Sequence, residues 1–237
     1  MIAAAGDSIT RAFDVGTCCP LTDSPEHSWA TGDSVESHYV RLLRLAGPGG
    51  VREYNVARSG ARMADLERQL RAAAAFGVDY VTVMMGANDL CTSGPATMTS
   101  PTEFGARFSR ALSALTSLRP HARIFVASIA NVYQLWSVMH LDLRASNVWD
   151  RFHLCRSMLA RALTAADRAA VVAREHVFNA TLEEVCGHFR ACRWDRGAVF
   201  GYRFSAADLS PIDFYHPSVR GQNGIAAVTW RASYWAG

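Results

Sequence analysis

The chain has 237 residues, 50% hydrophobic, 19% charged and 10% aromatic, which suffices to bury one sizeable core and fits one domain spanning residues 1–237. It contains no run of 18 apolar residues, so no transmembrane segment is expected, and its formal charge of +3 is spread without a basic block, so no nucleic-acid partner is expected either. All 24 basic residues are arginine, which leaves no residue for Schiff-base, pyridoxal-phosphate or P-loop lysine chemistry.

Residues 2–5 read as a short buried strand, followed at once by Gly6-Asp7-Ser8-Ile9-Thr10. Residues 35–46 carry apolar groups at helical spacing and stop at Gly47-Pro48-Gly49-Gly50. A second strand is predicted over 51–56, then a helix over 61–76 with Met63, Leu66 and Leu70 on one face and Gly77 closing it. Residues 80–85 form a continuous apolar run, as in a strand covered on both faces. Ser100-Pro101 leads a helix over 102–118, as an N-cap and first-turn pair should, and a fourth strand follows at 124–129. A long helix is predicted over 148–176, another over 182–189, a short fifth strand over 197–204, and a last helix from about Ser218. Strands alternating with helices predict an α/β fold with a parallel sheet covered on both faces. In such sheets, ligands are handled beyond the carboxyl ends of the strands.

Three marked positions fall just after predicted strands: Ser8 after the first, Gly60 after the second and Asn88, in Gly86-Ala87-Asn88-Asp89, after the third. A serine is a weak nucleophile unless a base removes its proton and a third group orients that base. Asp213 and His216, in Asp213-Phe214-Tyr215-His216-Pro217, supply those two groups in the chain order Ser, Asp, His. The backbone N–H groups of Ser8 and Gly60 and the amide of Asn88 would give three donors for a developing oxyanion.

Six cysteines (Cys18, Cys19, Cys91, Cys155, Cys186 and Cys192) predict three disulfides with 15 pairings open. Adjacent Cys18 and Cys19 should pair with different partners, and Cys186 and Cys192 are close enough to clip a short loop. A metal reading of Cys186, His188 and Cys192 lacks the paired C-x-x-C spacing of strong zinc sites, so no metal and no cofactor is expected. Disulfides point to a secreted protein, with a leader already removed ahead of Met1.

Gly6-Asp7-Ser8, Gly60, Gly86-x-Asn88-Asp89 and Asp213-x-x-His216 together resemble, in order, the four blocks of the SGNH, or GDSL-type, hydrolase family, across residues 6–216. The resemblance implies a flavodoxin-like three-layer α/β/α sandwich with about five parallel strands, hydrolysing esters without metal or cofactor. It implies Ser8 as nucleophile, His216 and Asp213 as base and orienting acid, and Ser8, Gly60 and Asn88 as the oxyanion hole. Ser28-Trp29-Ala30-Thr31-Gly32 and the surroundings of Asn88 look like the phospholipase B-like branch.

Substrate contacts are less definite. The apolar stretch 131–141, with Tyr133 and Trp136, either lines an acyl-chain groove or packs on the core as a short helix. Trp29, Arg58 and Tyr215 complete the candidate contacts, while the remaining histidines, His153 among them, read as structural. The expected protein is a monomeric serine ester hydrolase acting on a lipid or other acyl ester, with transient contact with a lipid surface. The alternatives are a carbohydrate acetylesterase on the same machinery and a non-catalytic lipid- or glycan-binding protein. Acyl transfer to an alcohol is not separable from hydrolysis at this level.

Overall fold

The computed structural model describes residues 1–16, 19–47 and 49–235. Five strands, β1 (Ile2–Gly6), β2 (Glu53–Asn55), β3 (Tyr80–Met84), β4 (Arg123–Val126) and β5 (Cys192–Trp194), form an all-parallel sheet in the order β2-β1-β3-β4-β5. Nine α-helices are found among the described residues: α1 (His38–Ala46), α2 (Leu66–Ala75), α3 (Ala87–Leu90), α4 (Pro101–Leu118), α5 (Val132–Met139), α6 (Leu143–Phe152), α7 (Arg156–Leu159), α8 (Ala165–Gly187) and α9 (Val219–Ala232). The result is the three-layer α/β/α sandwich that the alternation of strands and helices predicts.

The central strands β1 and β3 are buried at every position, which explains why they read as unbroken apolar runs instead of alternating ones. On one layer, α2 packs on α4 and α4 on α8, with the Phe104 and Phe178 rings stacked 3.9 Å apart between the last two. Each such fully buried ring contributes roughly 1.5–3 kcal/mol of hydrophobic stabilisation. On the other layer, α1 and α9 meet through His38, whose Nε2 lies 2.9 Å from Thr229 Oγ1 and whose Nδ1 lies 2.9 Å from the Tyr80 hydroxyl. Thr229 already donates its proton to the Ile225 carbonyl, so Nε2–H donates to Thr229 and Tyr80 O–H donates to Nδ1. Burial pushes the His38 imidazole down to about 3, which keeps this bridge neutral.

Several expected elements shift. The helix expected over 35–46 begins at His38, capped by the Ser37 side chain, which accepts from the Val40 N–H. The helix expected over 148–176 breaks at His153 and Cys155, both in the left-handed region at φ 54° and 35°. The chain re-enters a helix at Thr164, whose capping box with Asp167 starts α8. No break occurs near residue 180, because Asn179, which elsewhere would cap or terminate a helix, instead accepts the Ile129 N–H at 2.9 Å. Residues 197–204 are not a strand. The Val199 and Phe200 N–H groups donate to the Ser128 hydroxyl, and β5 lies upstream at Cys192–Trp194.

Cys186–Cys192 closes the short loop ahead of β5, and Cys91–Cys155 joins two segments 64 residues apart. Cys186 and Cys192 are thereby removed as metal ligands. These two bonds use the other four cysteines, so Cys18 and Cys19 cannot pair with different cysteines of the chain as expected; Cys18 lies outside the described residues.

Candidate active site

Ser8 sits in a helical turn directly beyond the C-terminal end of β1. The turn is closed by the Arg11 N–H donating to the Asp7 carbonyl at 3.0 Å and the Phe13 N–H donating to the Ser8 carbonyl at 3.0 Å. Only glycine fits at position 6, because a Cβ there would lie 2.5 Å from the Met84 carbonyl oxygen and 2.4 Å from Thr10 Oγ1. Gln69 of α2 holds that glycine from both sides, accepting its N–H at 2.7 Å and donating to its carbonyl at 2.9 Å. Gln222 of α9 clamps the next part of the turn, donating to the Ile9 carbonyl at 2.8 Å and accepting the Trp29 N–H at 3.0 Å. The Asp7 carboxylate accepts the Ile9 N–H at 3.0 Å, and burial pushes its carboxyl up to about 6.

The segment before α9 brings an imidazole to this serine. His216 Nε2 lies 2.8 Å from Ser8 Oγ, and His216 Nδ1 is hydrogen-bonded to Asp213 Oδ2. In the neutral imidazole, Nδ1–H donates to the carboxylate, which leaves Nε2 to accept the Ser8 hydroxyl proton. The other Asp213 oxygen accepts the N–H groups of Tyr215 and His216, both at 2.9 Å. Phe214 adopts φ 58°, at a cost on the order of 1 kcal/mol, and this reversal places the Asp213 and His216 side chains on the same side of the chain. Burial on its own would lower the His216 pKa. The charge and hydrogen bond of Asp213, with Asp7 and Asp14 behind it, outweigh that and raise it above the ordinary 6.5.

Gly60 occupies φ 79°, where a side chain would be strained, and lines the same cleft as Ser8 and Asn88. Two side chains of α3 tie the Gly60 loop to the end of β3. Asn88 Nδ2 donates to the Ala61 carbonyl at 3.0 Å, and the buried Asp89 carboxylate accepts the Met63 N–H at 2.8 Å. Asn88 has a second amide proton not used by that bond. Asp89, which reads from sequence as a capping neighbour of Asn88, is this loop staple; it also accepts the Thr99 hydroxyl at 2.8 Å.

The cleft has a volume of about 230 Å³ and is lined by Ser8, Gly60, Asn88 and His216, with Ile9, Phe13, Tyr215, His153, Leu154 and the Cys91–Cys155 disulfide among its walls. Of the expected substrate contacts, only Tyr215 is on that lining. The disulfide sulfur of Cys91 has no proton, so the Tyr215 hydroxyl donates to it, at 3.0 Å.

The other expected contacts lie elsewhere. Trp29 is fully buried behind the Ser8 turn and donates its indole N–H to Thr10 Oγ1 at 3.3 Å. Arg58 is exposed and its neighbour Ser59 takes the lining position. Tyr133 and Trp136 belong to α5, where Trp136 stacks on His140 and lies under the Arg168 guanidinium at 4.4 Å. The stretch 131–141 therefore packs as a helix outside the cleft. His153, Leu154 and the disulfide went unread as site residues in the sequence, because a left-handed turn and a 64-residue cross-link leave no local pattern.

The family model for the GDSL-like lipase/acylhydrolase family matches residues 4–223. The chain belongs to that family. It is an ester hydrolase of the GDSL type. The extracellular lipase of Streptomyces rimosus has a similar fold, with a TM-score of 0.55 and 20% identity over 98% of this chain and 99% of that one. So does phospholipase A1 of Streptomyces albidoflavus NA297, with a TM-score of 0.61 and 17% identity over 98% of each chain. A family two carbohydrate esterase from Clostridium thermocellum matches with a TM-score of 0.57 and 14% identity over 97% of this chain and 62% of that one. A search of the curated proteins finds no match. At these identities the neighbours speak for the fold of this acylhydrolase, not for its substrate.

Proposed function

We propose that this acylhydrolase is a secreted lipase or esterase that works through an acyl-enzyme on Ser8. His216 Nε2 takes the Ser8 proton as Oγ attacks the ester carbonyl. The same proton then passes to the departing alcohol, and water repeats the sequence to release the acid. Asp213 holds the imidazole in the tautomer the first step needs and stabilises the imidazolium that forms. The Ser8 and Gly60 N–H groups and the second Asn88 amide proton receive the developing oxyanion, and the staples from Asn88 and Asp89 to the Gly60 loop hold that donor set rigid. No step requires a metal or cofactor.

The observation carrying this reading is the continuous hydrogen-bond chain from Ser8 Oγ through His216 to Asp213, at the mouth of a cleft that Gly60 and Asn88 also line. The apolar walls supplied by Ile9, Phe13 and Leu154 favour an acyl ester over an acetylated sugar. Two disulfides support an extracellular location. Replacing the nucleophile is the test: Ser8→Ala should lower ester turnover by about 10⁴-fold or more while the thermal unfolding midpoint stays close to that of the parent. A variant that keeps its turnover removes Ser8 from the mechanism.

A further inference from the structure

β5 is an edge strand of the sheet, and between it and the last turns of α9 lies a second concavity, with a volume of about 360 Å³. Arg193 of β5, Arg196 just beyond that strand and Arg231 of α9 line it, with Ala198, Val228 and Ala232 between them. It shares no lining residue with the cleft. Its distance from the chemistry follows from α9, which starts at Val219, just after His216. At 1.5 Å per residue, Arg231 lies roughly 18 Å along the helix from that start.

The three guanidinium groups meet no carboxylate. Arg193 is anchored by its Nε, which donates to the Ala232 carbonyl at 2.7 Å, and its guanidinium lies 5.5 Å from the Tyr234 ring centre. Arg196 and Arg231 are exposed, and none of the three has an ion pair among the described residues. Elsewhere surface arginines are commonly paired, as in Arg44–Glu36, Arg68–Asp65, Arg71–Glu67 and Arg107–Glu103. Here the acids are missing or withheld. α9 carries no Asp or Glu, and Asp195 is the one acid within residues 185–204. Its buried carboxylate is turned inward, accepting the Ser128 N–H at 2.9 Å, the Ser128 hydroxyl at 2.8 Å and the Gly197 N–H at 2.8 Å. Left-handed backbone at Arg196 (φ 60°) and Gly197 (φ 77°) follows directly, a conformation that arginine rarely adopts. The chain thus buries the acid and leaves the guanidinium beside it at the concavity.

We propose that Arg193, Arg196 and Arg231 form a binding site for a phosphate group, outside the catalytic cleft. Three guanidinium groups around one concavity call for a ligand with more than a single negative charge and with several acceptor oxygens. Phosphate meets both demands, where a carboxylate meets neither, and the planar guanidinium fork matches its oxygens in pairs. The remaining lining offers no competing acceptor: the Ala198, Val228 and Ala232 side chains are apolar, and the Ala232 carbonyl is already taken by Arg193. The volume falls within the range of roughly 300–1,000 Å³ usual for small-ligand sites. A soluble phosphate monoester and the headgroup of phosphatidic acid present the same chemistry to these arginines.

The test is calorimetric titration of the whole protein with inorganic phosphate, slightly above neutral pH, with chloride at equal ionic strength as the reference. Phosphate should occupy one saturable site and raise the thermal unfolding midpoint, and chloride should do neither. Arg196→Gln and Arg231→Gln, both at exposed positions, should each weaken phosphate binding about tenfold or more, and the double variant should lose it. Arg193 is kept in these variants because it caps α9. Arg68→Gln, on α2, should bind phosphate as the parent does. Turnover of a short-chain ester should be the same in the parent and in the double variant. A second arm uses vesicles of ether-linked phosphatidylcholine with and without ether-linked phosphatidic acid, which display phosphate on a surface and carry no ester to cleave.

Binding of free phosphate without attachment to the vesicles assigns the site to a soluble phosphate ligand. Binding of both, lost together in the double variant, extends it to a lipid headgroup. Four results would each overturn the proposal: no saturable phosphate binding in the parent, parental affinity in the double variant, an equal loss in Arg68→Gln, or vesicle attachment without binding of free phosphate. A fall in ester turnover that matches the loss of phosphate affinity would place the anion in the cleft and overturn it as well.

Discussion

The two walls of the cleft are built by different means. The nucleophile wall, residues 6–13, is held by buried polar staples: Gln69 on Gly6, Gln222 on Ile9, Trp29 on Thr10, and the Asp7 carboxylate on Ile9. The facing wall, residues 153–155, has backbone in a left-handed turn and has no buried side-chain staple of that kind; it rests on one disulfide, on backbone bonds such as the Leu154 N–H to the Trp149 carbonyl at 3.1 Å, and on apolar contacts. A hydrogen-bonded turn with few alternatives holds Oγ to within the fraction of an ångström that proton transfer needs. A wall that faces the apolar part of a substrate needs shape, and the cross-link between α3 and the turn before α7 supplies it together with Ser157, whose hydroxyl donates to the Leu90 carbonyl at 2.6 Å. Chemistry and selectivity should therefore fail separately when each wall is disturbed.

The largest effect of this kind is expected at the base. Asp213→Asn should reduce kcat by about 10⁴-fold, because the amide no longer holds the imidazole with Nε2 free to accept. It should also move the pH profile in a defined direction. With His216 as the neutral base of the proposed mechanism, its raised pKa should place the acid limb of kcat/KM in the parent protein above that of an ordinary imidazole. Removing Asp213 deletes the main raising influence and leaves burial, so the limb should move to lower pH. A limb that stays in place would assign the titration to another group.

Next comes the oxyanion side. Asn88→Ala should cost about 10² to 10³ in kcat, measured with a short-chain ester, with little change in acyl-length preference. A rate within a fewfold of the parent would leave Asn88 as a loop staple alone. The mildest effect on turnover is expected from the facing wall. The double replacement Cys91→Ala and Cys155→Ala should lower stability by about 2–5 kcal/mol in chemical denaturation, while acetate-ester turnover falls less than tenfold and acyl-length preference weakens. If turnover instead collapsed as far as in Asp213→Asn, while the protein stayed folded at the assay temperature, the two walls would not be separable.

The nucleophile wall was largely legible from sequence because its demands are local. A strand ending in Gly-Asp-Ser, a glycine after the second strand and an Asn-Asp pair after the third each carry a short-range signature. The Asp213–His216 spacing fits one reversal of the chain at Phe214. The facing wall was misread for an equally physical reason. His153 and Cys155 enter left-handed conformations that only Gly, Asn or Asp usually signal, so the helical pattern seemed to run on through them. The Thr164-x-x-Asp167 capping box was the available signal for the true start of α8. Residues 197–204 read as a short strand from the sequence. The Val199 and Phe200 N–H groups instead donate to the hydroxyl of Ser128, brought from far along the chain, which propensity cannot register.

By itself, then, the amino-acid sequence determined the alternation that makes the parallel sheet and the family, and it singled out Ser8, Gly60, Asn88 and His216, which line one cleft, and Asp213, which bonds His216, since each follows from short-range spacing and from the chemistry of single side chains. Only the tertiary structure decided that Trp29 buttresses the Ser8 turn instead of lining the cleft, that Cys91 meets Cys155, and that Phe13 and Leu154 separate the cleft from a small apolar cavity beside α6. Those are contacts between segments far apart in the chain. They depend on how helices and turns pack over the sheet, and short-range sequence patterns carry little record of that packing.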